Sequence, residues 1–74
     1  MKQIQIGMRT FACNSEGYGL FRKSMKGEWM QEVGTGETPQ FVSPRAFAAW
    51  LRRWYLRANI ALPKTPFIDQ GGWK

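Results

Sequence analysis

From Lys2 to Cys13 apolar and polar residues alternate. Ile4, Ile6, Met8, Thr10 and Ala12 share one parity; Gln3, Gln5, Gly7, Arg9, Phe11 and Cys13 share the other. A period of two is that of a strand with one buried face. "NSEG" (Asn14 to Gly17) is a turn signal, and Tyr18 to Ser24 predicts a second strand. After a turn at Gly27, Glu28 to Val33 predicts a third. It sets Trp29, Gln31 and Val33 on one face and Glu28, Met30 and Glu32 on the other. Short connections make such strands antiparallel neighbours. Gly34 to Gln40 reads as a loop, without the Gly-Lys-Ser/Thr ending of a phosphate-binding loop.

The period then changes. Ser43 suits a helix N-cap and Pro44 the first helical position, where a missing N–H costs nothing. Val42 and Phe47 have the spacing of a hydrophobic staple. At about 100° per residue, Phe47, Trp50, Leu51, Trp54 and Ala58 form one apolar arc, with Tyr55 at its margin. Arg45, Ala49, Arg52 and Leu56 lie opposite, with Arg53 and Arg57 between. Asn59 readily takes the left-handed conformation that closes a helix near Ala58. Residues 60–74 contain two prolines and a Gly-Gly pair and read as an extended tail, with Ile60, Leu62, Phe67 and Ile68 available to pack back. The expected fold is α+β: a three-stranded antiparallel sheet covered on one face by one C-terminal helix. It spans residues 1–59, and the extended tail, residues 60–74, packs on the domain or on a partner.

Length and composition narrow the chemistry. Seventy-four residues allow one domain with a thin core. Cys13 stands alone and there is no histidine. No internal disulfide and no metal cluster are therefore expected, and no cofactor. Self-association or docking on a larger partner remains a route to stability. The lone cysteine, the lack of a signal-like N-terminus and the lack of a long apolar run lead us to expect a cytoplasmic protein, not a membrane one. An enzyme is not expected, since histidine is absent and the five carboxylates are scattered.

Eleven lysines and arginines against five acids give a net charge of +6, which favours nucleic acid or an acidic protein surface. The helix carries Arg45, Arg52, Arg53 and Arg57 and no acid, so ion pairs within it cannot form. Arg45 also stands in the first turn, where the helix dipole disfavours a cation. An outside anion accounts for both choices; pairing with Glu28 or Glu32 is the structural alternative. A second basic cluster is Arg22, Lys23 and Lys26. The uncovered sheet face is expected to present Arg9, members of this cluster, and Phe11 as a stacking plane. The plain alternative is a charged face that keeps the sheet soluble.

"GEWMQEV" followed by "FVSPRAFAAWLRRW" resembles the end of the three-stranded DNA-binding domains of ethylene-response transcription factors and of integrase arm-binding domains. The matching positions are Gly27, Trp29, Val33, Phe41, Ser43, Phe47, Ala48 and Trp50, about a third of the chain. In those domains the sheet enters the DNA major groove. The resemblance implies contacts from Arg9, Arg22, Lys23 and Gln31. The strongly basic helix and long apolar tail depart from that pattern. Two functions follow as expectations. One is a small accessory or regulatory factor that binds DNA or RNA. The other is an inhibitor of the phage or mobile-element type, which docks a basic surface on a protein partner such as a host nucleic-acid-handling or defence complex, CRISPR included.

Overall fold

Gly7 and Met8 break what the alternation presents as one strand. The computed structural model describes residues 1–74. In it Lys2–Ile6 (β1) and Arg9–Cys13 (β2) form a hairpin with Ile6 opposite Arg9 and Ile4 opposite Phe11. Gly7 supplies the positive φ, 60°, that the first position of a tight hairpin turn needs. The turn reverses the parity. Even-numbered residues of β1 share a face with odd-numbered residues of β2, so Ile4 and Ile6 lie beside Phe11 and Cys13, all four fully buried.

Leu20–Lys23 (β3) and Trp29–Val33 (β4) extend the sheet beyond β2. Asn14 makes the β2–β3 turn: its Oδ1 accepts the N–H groups of Glu16 and Tyr18 at 3.0 and 2.9 Å. At the β3–β4 turn Ser24 plays the same part for Lys26 and Glu28. A register shift at Leu20–Phe21 brings Val33 opposite Leu20 and onto the core, while Trp29 stays opposite Lys23. The bulge thus separates Val33 from Trp29 and Gln31, which strict alternation groups together.

The helix, Pro44–Arg57 (α1), has the ends its residues predict. Ser43 Oγ accepts the Ala46 N–H at 3.1 Å. Asn59 takes φ 59°, with its N–H bonded to the Leu56 carbonyl and that of Ile60 to the Tyr55 carbonyl. Those two bonds make the closing motif in which a left-handed residue satisfies the last carbonyls. The predicted staple is not made, because Val42 is 76% exposed. Phe41, one residue earlier, is buried and meets the Phe47 ring at 4.7 Å. Phe47, Ala48, Leu51 and Tyr55 are the buried helix positions. Ala58, placed on the apolar arc by its spacing, is exposed, and Trp50 and Trp54 are only half-buried.

The sheet has five strands, not three, and the helix is not the last element. Ile68–Gly71 (β5) pairs antiparallel with β1, giving the order β4-β3-β2-β1-β5. The segment expected as an extended tail thus supplies an edge strand. Trp73 follows it and packs on Phe47, ring centroids 5.8 Å apart, and its Nε1 donates to the Gln3 carbonyl at 2.9 Å. Pairing needed a partner almost the whole chain away, which no local pattern announces. The connection is held down by Leu62, which is buried, and by Arg52, whose guanidinium donates to the carbonyls of Pro63 and Thr65, both at 2.7 Å.

Arg52 is therefore a clamp between α1 and the chain leading to β5. Replacing it by alanine is expected to cost about 1.5–3 kcal/mol, the range of hydrogen bonds that involve a charged group. Faster amide exchange at residues 68–71 would accompany the loss. Unchanged exchange there would remove the clamp role.

Candidate functional site

The basic residues singled out by the sequence do not share one surface. Arg9 and Arg22 lie on the helix side of the sheet, paired across from Ile6 and Phe11. Phe11 is fully buried, its ring 5.6 Å from that of Tyr55, so it offers no stacking plane to solvent. The parity reversal at Gly7–Met8 is the reason. Arg22 is ion-paired, its Nε 2.8 Å from Glu32 Oε1, and the Tyr55 hydroxyl donates to the same oxygen at 2.9 Å. Arg52 is engaged by carbonyl groups. Lys23 stands on the uncovered face beside Trp29, its Nζ 5.1 Å from the ring centroid, and Gln31 is on that face too. Lys26 is exposed at the β3–β4 turn. Of the four strand positions implied by the resemblance, only Lys23 and Gln31 share the uncovered face.

The sole salt bridge of the molecule is that of Arg22 with Glu32, so Arg45, Arg53 and Arg57 are exposed without an ion-pair partner. Two of them meet aromatic residues. Trp50, Arg53, Trp54 and Arg57 are spaced i, i+3, i+4, i+7 and stack along one side of α1. With Glu37 they line a cleft of about 310 Å³. The two indoles form an offset pair, centroids 6.0 Å apart and planes 18° apart. Their inner edges are fixed by the core: Trp50 stands edge-on to Phe41 and Trp54 to Tyr55. Each indole is thus anchored on one side and half-exposed on the other.

Glu37 arrives from outside the helix. Thr35–Glu37 forms one 3₁₀ turn in which the Glu37 N–H donates to the Gly34 carbonyl at 3.0 Å and Glu37 Oε2 accepts the Gly34 N–H at 3.2 Å. Trp50, Trp54 and Glu37 were not among the expected site residues. The stripe spacing was the signal for the two tryptophans; for Glu37 there was none, since only the folded loop brings it to the helix.

Two buried titratable groups, Tyr55 and Cys13, lie outside the cleft. Burial, then the hydrogen bond to Glu32 and its charge, push the Tyr55 phenol well above its ordinary 10.0. Burial pushes the Cys13 thiol from 9.0 up to about 11, and a buried neutral thiol is a poor nucleophile. Both groups stay protonated in the folded chain at a pH where the unfolded chain ionises them. Their contribution is complete below about pH 9 and is lost as pH rises. The slope is about 1.4 kcal/mol per pH unit for each group in its window. Urea midpoints between pH 8 and 11 should fall more gently in Cys13→Ala and Tyr55→Phe than in the wild type. Parallel profiles would show that neither group is perturbed.

No group of three or more histidine, cysteine or acidic side chains comes together as a metal site, and no helix is long and apolar enough to cross a membrane. Neither a protein-family profile, nor a curated protein, nor a solved structure matches this chain.

Proposed function

We propose that the protein binds single-stranded nucleic acid through the Trp50–Arg57 side of α1. The observation that carries this reading is the cleft itself: two anchored, half-exposed indoles flanked by two guanidinium groups without acid partners. Base–aromatic stacking contributes about 1–3 kcal/mol per base and needs a base that is already unstacked, while arginine holds phosphate by charge and forked hydrogen bonds. A concave site of about 310 Å³ is at the small end of ligand pockets, which suits one nucleotide at a time. The net charge of +6 supplies long-range attraction. Lys23 and Trp29 on the uncovered face form a second, smaller basic-aromatic pair. In a cell this activity fits an accessory or regulatory factor.

Quenching of tryptophan fluorescence by short single-stranded DNA, single-stranded RNA and duplex DNA, at 50 and 200 mM salt, tests the reading. Single strands should bind more tightly than duplex, and more weakly at the higher salt. Absence of binding at 50 mM salt would refute it. Tighter binding of duplex would instead move the contacts to the sheet, as the resemblance to DNA-binding domains implies.

The second reading is an inhibitor that docks on an acidic protein surface. It draws support from Leu56, 64% exposed between Arg53 and Arg57 in the chain, because arginine beside exposed apolar area suits a protein interface. It predicts no intrinsic affinity for DNA or RNA, and a stoichiometric partner recovered from nuclease-treated host lysate.

A further inference from the structure

Glu37 caps the Gly34 turn, but it also sets a carboxylate in the cleft of the two guanidinium groups, where its charge opposes an incoming phosphate. Glu37 lines the same cleft as Arg53 and Arg57, yet none of their nitrogens comes within 4.0 Å of it, so it forms no ion pair with them. It is also positioned: the 3₁₀ turn fixes its backbone and the Gly34 N–H holds Oε2, while Oε1 makes no hydrogen bond. A carboxylate accepts only, and its two oxygens have room for further donors.

We propose that Glu37 makes this cleft a guanine-reading site; the inference rests on the single-strand reading above. Of the common bases, guanine alone presents two adjacent donors, N1–H and N2–H, which a carboxylate accepts in parallel. Adenine and cytosine set one amino group beside a ring nitrogen acceptor. Uracil and thymine set one N–H between two carbonyl oxygens. Each of these turns at least one lone pair toward the carboxylate, which is repulsive. Guanine stacked on the Trp50–Trp54 pair directs its donor edge to Glu37 and its phosphate to Arg53 or Arg57. The carboxylate that weakens phosphate binding in general thereby selects one base.

The test compares guanosine, inosine, adenosine and uridine 5′-monophosphates, together with oligouridylates carrying one central guanosine or inosine. Inosine is the sharpest probe, because it differs from guanosine only in lacking the N2 amino group. Guanosine should bind about tenfold or more tightly than inosine in the same context, the scale of a hydrogen bond to a charged group. Glu37→Gln, whose amide oxygen still accepts the Gly34 N–H, should keep the fold by circular dichroism and retain or improve oligouridylate binding. It should lose the guanosine-over-inosine difference. Preference already present for the mononucleotide identifies a free guanine nucleotide as sufficient; preference only in the oligomer identifies a guanine within a strand. Oligomers bound without guanine preference would overturn this inference and leave single-strand binding intact. Preference that survives Glu37→Gln would overturn it too.

Discussion

Phe11→Ala is expected to lower the melting temperature by at least about 12 °C. Phe11 sits at the centre of the sheet, opposite Ile4 on one side and Arg22 on the other, with the Tyr55 ring above it. It is fully buried in a molecule where only 14 of 74 residues are buried, so few neighbours can collapse into the space it leaves. Truncating a core phenylalanine costs about 3–5 kcal/mol. A chain of this length has about 4–11 kcal/mol in total, at typical values per residue. For small domains each kcal/mol moves the melting temperature by about 4–8 °C. Trp54→Ala, at a half-buried position, should cost clearly less while weakening nucleic-acid binding. Thermal denaturation of the two variants side by side decides the matter. An unchanged melting temperature for Phe11→Ala would return that ring to the surface as a stacking platform.

The second large effect concerns binding. Replacing both Arg53 and Arg57 by glutamine should reduce the salt slope for single strands by about 1.4, since each phosphate contact contributes about 0.7. Between 50 and 200 mM salt the wild type should then lose roughly sevenfold more affinity than the double variant. Both residues are exposed and unpaired, so stability should shift by no more than about 0.5 kcal/mol. Arg52→Gln serves as a control of opposite character, because its guanidinium ties down the Pro63–Thr65 backbone. It should lower stability and leave the salt slope near the wild-type value. A double variant that binds with an undiminished slope would remove Arg53 and Arg57 from the interface and direct attention to Lys23 and Lys26.

What could be read from the sequence was local. Ser43, Pro44 and Asn59 mark the helix ends because capping depends on residues a few positions apart. Asn14, Gly17 and Gly27 mark turns for the same reason. Alternation from Lys2 to Cys13 correctly indicated strand, but a two-residue turn preserves that alternation while exchanging the faces. Alternation alone therefore hides the turn at Gly7 and Met8 and sets Phe11 and Arg9 on the face opposite to the one they occupy. β5 was not legible because its partner lies at the other end of the chain and its own four residues are all exposed. The cleft falls between these cases. The Trp50, Arg53, Trp54, Arg57 spacing is plain on a helical wheel, yet large aromatics on a helix are ordinarily core. Only the fold reveals that two of them are left half in water.

The β1–β5 pairing also sets a schedule for the chain during synthesis. Strand β1 is made before the other strands of this sheet, yet its outer neighbour is made after all of them, with Gln3 opposite Gly71. At about 5–20 residues per second, roughly 3–14 s pass between the two. Throughout that interval the β1–β2 hairpin can exist, but one edge of β1 has its hydrogen-bonding groups unpaired, and Phe47 lacks the cover of Trp73. An open edge beside an uncovered aromatic is the kind of surface on which nascent chains associate. The brief β5, together with Trp73, is therefore a closing seam: translation must pass β5 and reach residue 73 before both edges of β1 are protected.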